Sequence, residues 1–418
     1  MYYIMYIEAN LKIRMVSCLK RNLMIPRGGF KKMNDLSCAD GIHGMVPREK
    51  MSDGARKMRD FIEMMPDAPV FQCEFGYFSL NRWKREGYID DSTDLSDLFG
   101  FDEPGNYDIG SLGWCEAAFS PEFEEKVIED RGDHEVVQDH AGRHLLCFKG
   151  RRSGFMPEYL EHPVKDRKSW EENVKWRLNP KNEERYAGLD ERMKEAAACA
   201  GNGMVISQNV IGGYMYLRSL MGPVDVMYKF YDEPELIRDC MQTWLDLADE
   251  VIARHQQYVT LDELFIGEDI CYNHGPLISP ELIKEFLFPY YQQLIANIKR
   301  RQIDKNRHLY FQVDTDGFAD PVIPLYKSIS MDYMSPFEVA SGSDVVRTGA
   351  EYPDLRIRGG FDKRILARSK EAIDREVDKI LPVMKKRGGY IPVCDHGVPE
   401  EVSFENYMHF RKRLLEFA

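Results

Sequence analysis

From about residue 68 to the C-terminus, short apolar runs alternate with longer segments of helical period, and this alternation restricts the fold more than any other feature. The runs are "APVFQCEF", "GMVISQNV", "ELFIGEDI", "HLYFQVDT", "SMDYMSP", "LRIRGGFD" and "GGYIPVCD". Several are apolar on both faces, as strands are when helices cover both sides of a sheet. Strand and helix in strict alternation predict βα units around a parallel sheet. Seven runs leave a closed eight-stranded barrel one strand short, with the missing strand not located. At 418 residues the chain fits one such barrel.

The intervening segments carry helix signals. In "ISPELIKEFLFPYYQQLIANIKRR", Ser279 sits at the N-cap and Pro280 at the first helical position, with Leu282, Ile283, Phe286, Tyr290, Leu294 and Ile298 forming one apolar stripe. "SKEAIDREVDKILPVMKK" repeats the pattern behind Ser369, with Ile373, Val377, Ile380, Leu381 and Met384 facing inward. Asp232 is the expected cap of the helix in "DEPELIRDCMQTWLDLADEVI". Between about 100 and 200 the pattern loosens into an insertion or lid. There "HEVVQDHAGRHLLCFKG" reads as a β-hairpin turning at Ala141 and Gly142, and "SWEENVKWRL" as a short helix. Residues 1–55 are expected to be an irregular extension, and 56–418 the barrel.

Composition narrows the classes of function. A formal net charge of −13 opposes nucleic-acid and anionic-membrane surfaces, which need a basic footprint. No apolar run approaches the roughly 20 residues that span a bilayer. Nine scattered cysteines with no CxxC pair point to reduced thiols and a cytoplasmic location. Small molecules or protein partners remain as ligands.

In a βα barrel the reacting groups stand at the C-terminal ends of the strands. Those positions here hold Glu268 and Asp269, Asp314 and Asp316, Glu338, Asp362, and Asp395 with His396. Such a set either binds a cation or holds a polar substrate for acid–base work. Each member also has a plainer role: Asp314 and Asp316 could be turn or cap residues, and Asp362 could buttress a turn. A carboxylate beside a strand-end histidine, as at Asp395 and His396, fixes a tautomer for catalysis or ligation. The glycine pair of "IRGGFD" lacks a GxGxxG context, so no dinucleotide site is expected. Most of the aromatic cluster "FGYFSLNRWKREGY" is expected in the core.

Three segments of residues 200–418 stand out together: "GPLISPELIKEFLFPYYQQLIANIK", "IRGGFDKRILARSKEAIDREVDKIL" and "DHGVPEEVSFENY". On these segments the chain resembles the uroporphyrinogen decarboxylase superfamily, which includes the corrinoid- and thiol-linked methyltransferases of anaerobic microbes. The resemblance implies a TIM-type (β/α)8 barrel. The arginine-bearing motif that binds substrate carboxylates in the decarboxylases is absent: "VFQCEFGYFSLNRW" stands in its place.

In the family's methyltransferases, a His-x-Cys pair and a later cysteine hold zinc. On this sequence those positions fall on Asp314, Asp316 and His396, so the resemblance implies a divalent metal there: zinc first, or manganese or iron, given the oxygen-rich ligands. Cys394 is a reserve ligand. The expected activity is methyl transfer between a small substrate or thiol and a corrinoid protein. Asp395 would orient His396, Glu268 would complete the site or handle a proton, and Asp269, Arg358 and Asp362 would bind substrate. The alternatives are a metal-free decarboxylase of uroporphyrinogen-like or other cyclic carboxylic acids, drawing positive charge from Arg358 or Arg364, and a non-catalytic barrel that binds a ligand or a corrinoid protein.

Overall fold

The computed structural model describes residues 46–150 and 157–418, so the expected extension over 1–55 lies almost wholly outside the described residues. The first α-helix among the described residues, Asp53–Ile62, begins inside that span, with the Ser52 side chain accepting from the Ala55 N–H.

Strand β1 (Asn106–Leu112) comes first among the described residues, followed by β2 (Lys126–Arg131), β3 (His134–Gln138), β4 (His144–Phe148) and β5 (Glu158–Glu161). Then come β6 (Val205–Ile211), β7 (Glu263–Gly267), a small hairpin of β8 (Cys271–Tyr272) and β9 (Gly275–Pro276), β10 (Tyr310–Asp314), β11 (Tyr333–Ser335), β12 (Arg356–Arg358) and β13 (Tyr390–Ile391). Seven of these form one sheet in the order β1-β6-β7-β10-β11-β12-β13, parallel at every junction. Helices follow the strands, which makes the fold a TIM-type α/β barrel.

The strand missing from the sequence reading is β1, which lies within the span assigned to the insertion. Its sequence, "NYDIGSL", is rich in residues that strands disfavour. Conversely, "APVFQCEF" forms no regular strand. It runs extended at the eighth place: Phe78 N–H donates to Val398 O and Val398 N–H to Gly76 O, both at 2.8 Å, while Asp102 N–H donates to Gln72 O just ahead of β1.

The insertion proper follows β1 and carries a four-stranded antiparallel sheet, β2-β3-β4-β5. Its central hairpin is the predicted one. Asp139 Oδ1 accepts from the N–H groups of Ala141 and Arg143 at 3.0 and 2.8 Å, which closes the turn.

Two predicted helices differ in detail. The segment after Ser279 is two helices, Pro280–Phe286 and Phe288–Arg301, because Pro289 supplies no N–H to continue the first. Tyr291, rather than Tyr290, is the buried tyrosine. Asp232 ends the helix Asp225–Asp232 instead of capping the next one, Pro234–His255, which starts at its own proline. Behind Ser369 the helix Lys370–Arg387 buries Ile373, Val377, Ile380, Leu381 and Met384, as its period requires.

Strand alternation positions the site. Phe311 faces the helix layer, with its ring 6.5 Å from that of Tyr291, so Gln312 and Asp314 face the barrel interior. In register, Asp314 lies between Gly267 of β7 and Ser335 of β11. Opposite Asp314 the Gly267 side has no side chain, and Trp114 from the loop after β1 fills the space: a Cβ at Gly267 would lie 3.3 Å from the Trp114 ring. Trp114 stacks on Phe265, one layer down, at 5.3 Å.

Candidate functional site at the barrel mouth

Strand β10 ends in Asp314-Thr315-Asp316-Gly317. Thr315 turns outward and is fully buried, its Oγ1 accepting from the N–H groups of Ile270 and Cys271 at 3.1 Å. Gly317 has φ +79°, and a Cβ there would lie 2.8 Å from the Tyr272 backbone, so only glycine permits this turn. The two carboxylates on either side of Thr315 are thereby aimed at the mouth.

Asp314 is nearly buried and accepts a hydrogen bond from Ser335 Oγ, which in turn accepts from Gln312 Nε2 at 2.9 Å. Burial, with the neighbouring Asp316 charge, raises its pKa to about 7. Asp316 is 41% exposed and pairs with His396, Oδ2 to Nε2 at 3.1 Å. This pair reaches across the mouth from β10 to the loop after β13. Burial of His396 would favour the neutral ring, but the hydrogen bond and charge of Asp316 outweigh it and raise its pKa to about 9. His396 Nδ1 is buried and has no hydrogen-bond partner among the described residues.

Asp269 also lies at the mouth, with φ +42°, paired to Arg218 of the helix Gly213–Met221. Burial raises its pKa against the pull of Arg218, and the Asp316 charge adds to the rise. Glu338, after β11, accepts from Gly317 N–H at 3.1 Å and faces Lys363 Nζ at 3.4 Å.

Other expected site residues lie elsewhere. Glu268 points away from the mouth into the helix layer: Oε1 accepts from Tyr214 N–H at 3.0 Å and Oε2 from the Tyr291 hydroxyl. Its pKa rises to about 7 because it is buried, and both its oxygens are engaged on the side away from the mouth. Asp395 is fully buried and does not hold the His396 ring. Its oxygens accept from the N–H groups of Val339 at 2.9 Å and Lys363 at 3.3 Å, and Asp316 is the carboxylate that orients the histidine.

Asp362 caps the helix Lys363–Leu366 and is held by Arg364 through bonds of 2.9 and 2.8 Å, so both serve the turn. Arg358 lies inside the barrel rather than at its rim, 4.4 Å above the Phe75 ring and 3.8 Å from Cys73 Sγ. Cys394 is fully buried, burial pushes its thiol pKa up, and its N–H donates to Glu74 Oε1 at 3.1 Å, which places it away from the mouth.

As a metal site, the donor set does not fit. The Asp314 carboxylate is taken up by Ser335 and buried, while Asp316 and His396 neutralise one another. No group of three or more His, Cys, Asp and Glu side chains among the described residues is arranged to hold a metal ion. The arrangement is a carboxylate–imidazole ion pair with a second, buried carboxyl beside it.

The sequence reading did not single out Arg218, Lys363 or Trp114. Each follows a strand end by a few residues, but nothing in the local pattern distinguishes them from surface or core residues.

Together the parallel sheet, the helical layer and the charged groups at the strand ends define a TIM-barrel protein with its candidate site at the usual face. Residues 171–416 match the family model for uroporphyrinogen decarboxylase (URO-D), and the chain belongs to that family. Among solved structures, a methyltransferase from Methanosarcina mazei shares the fold. It has a TM-score of 0.54 and 13% sequence identity, over 87% of this chain and 98% of that one. No curated protein sequence matches the chain. No helix among the described residues is long and apolar enough to cross a membrane.

Proposed function

We propose that the protein is an enzyme that moves a methyl group from a heteroatom of a small substrate, with Asp316 and His396 as its acid–base pair. One observation carries this reading. The pair spans the mouth with the imidazole held through Nε2 and its side chain still 22% exposed, so a charged ring is fixed where a substrate entering the mouth can reach it. Asp316 keeps the ring in its protonated form at neutral pH. When the bond between methyl carbon and heteroatom breaks, its electron pair stays on the heteroatom, which takes the proton from His396. The methyl group passes to an external two-electron nucleophile, the reduced cobalt of a corrinoid protein or a thiolate, brought by a partner in the cytoplasm. Asp314 stands by as a second, protonatable carboxyl from which His396 can regain the proton it has given up.

The state of the positive charges favours methyl transfer over decarboxylation of a polyacid. Arg218 is paired with Asp269, Lys363 with Glu338 and Asp395, and Arg364 with Asp362. A substrate bearing several carboxylates would have to break these pairs to find its counter-ions. The shared fold of the Methanosarcina mazei methyltransferase is consistent with the same reading. The test is a methyl-transfer assay with a corrinoid protein or a thiol as acceptor. Turnover that falls in Asp316→Asn with the fold intact supports the reading, and turnover unaffected by that substitution removes the site.

A further inference from the structure

Lys363 opens a four-residue helix after β12 and reads in the sequence as one more surface lysine. In the structure its side chain is only 21% exposed and its ammonium lies between two carboxylates, 3.4 Å from Glu338 Oε1 and 3.7 Å from Asp395 Oδ1. These contacts belong to a closed circuit. Glu338 Oε2 accepts from Gly317 N–H at 3.1 Å, and Gly317 follows Asp316 directly. Asp395 precedes His396 directly, and His396 meets Asp316 at 3.1 Å. Four strand ends, those of β10, β11, β12 and β13, are thus joined in a ring in which the ammonium works beside two backbone links to Asp395, from the N–H groups of Val339 and Lys363.

We propose that Lys363 is a positioning residue of this site, the strut that holds His396 and Asp316 opposed across the barrel mouth. The inference rests on the pair being the reactive centre and adds the residue that keeps it assembled. Without the ammonium, Glu338 and Asp395 lose the cation they share, and Asp395 keeps only the N–H groups of Val339 and Lys363. The two carboxylates then repel with no counter-charge, and the repulsion acts to part the loops after β11 and β13. His396 would move with its neighbour Asp395, and Asp316 with its neighbour Gly317.

A strut and a mere neighbouring charge have opposite signatures. The charged groups around His396 are Asp316, Asp395 and Lys363, with Asp269 and Asp314 further across the mouth. A lysine that acted only through its charge would disfavour the protonated ring, and its removal would strengthen proton binding at His396. A lysine that holds the pair together has the reverse effect, because its loss separates the ring from Asp316.

The experiment is an NMR titration of the His396 ring in histidine-labelled full-length protein, comparing the wild type with Lys363→Met, Lys363→Arg and Glu338→Gln. Lys363→Met is expected to weaken proton binding at His396 about tenfold or more. Lys363→Arg should restore it, because the guanidinium spans the same two carboxylates. Glu338→Gln opens the ring at another link and should move the titration in the same direction as Lys363→Met. Unchanged or tighter proton binding in Lys363→Met, with circular dichroism unaltered, would overturn the proposal. If Lys363→Met does not fold, Lys363→Gln, which also removes the cation, decides in its place by the same criterion. The outcome is independent of the reaction: if the titration moves as expected while no methylated substrate turns over, the strut stands and the proposed function fails.

Discussion

The ends of β7 and β13 each present two adjacent ionisable residues, and at both ends the two have opposite fates. Glu268 and Asp395 are fully buried, and each of their oxygens accepts from an N–H or O–H donor of a neighbouring element. Asp269 and His396, one residue later, stand at the mouth and pair with oppositely charged groups that remain partly exposed. Side chains alternate across an extended backbone, so a single residue of register decides whether a charge braces the barrel or faces a substrate.

The largest effect should come from breaking the mouth side of this comparison. Asp316→Asn removes the group that charges and aims His396, and methyl transfer should fall about a hundredfold or more with circular dichroism unchanged. Full activity in that variant would move the chemistry elsewhere.

On the bracing side, Glu268→Ala leaves the Tyr214 N–H and the Tyr291 hydroxyl without an acceptor in the core. We expect a loss of about 3 kcal/mol in urea unfolding. Asp269→Asn, at a side chain 37% exposed, should change stability by about 1 kcal/mol or less. Equal losses at the two positions would erase the distinction between them.

The two classes also differ in how they couple stability to pH. His396 has its pKa raised from 6.5 to about 9, so its contribution is whole below pH 6.5 and is lost as pH rises through about 9. At most it amounts to about 3 kcal/mol. Glu268 and Asp314 have pKa values raised from 4.5 and 3.8 to about 7, so they favour the fold most when protonated and withdraw that support as pH climbs towards 7. The urea midpoint should therefore decline from pH 5 to pH 10 in two stages, and Asp316→Asn should lack the alkaline stage.

The smallest effect should follow from a metal chelator. Because the donors at the mouth do not form a ligand set, dialysis against chelator should leave turnover and the His396 titration unchanged. Activity lost to chelator and restored by zinc would show that the site rearranges around a metal.

Much of this was legible in the sequence. The βα alternation gives the barrel, and the rule that strand ends carry the chemistry brings Asp314, Asp316 and His396 forward as candidates. The roles of Glu268 and Asp395 were not legible, because facing depends on where the strand stops alternating, and that is fixed by tertiary hydrogen bonds such as those to Tyr291 and Val339. Strand β1 escaped notice because Asn106, Asp108, Gly110 and Ser111 weaken the apolar signal, while their neighbours in β6 hold the strand in place. Arg358 sits on a predicted strand, but only the closed barrel shows that it points inside, over Phe75.

The most direct test of the central claim, that Asp316 and His396 form a charged pair across the mouth, is the titration of the His396 ring in the wild type and in Asp316→Asn. The account expects a pKa near 9 in the wild type, falling towards 6.5 or below in the variant, where burial acts without the compensating carboxylate. A wild-type His396 that already titrates at or below 6.5 would contradict it.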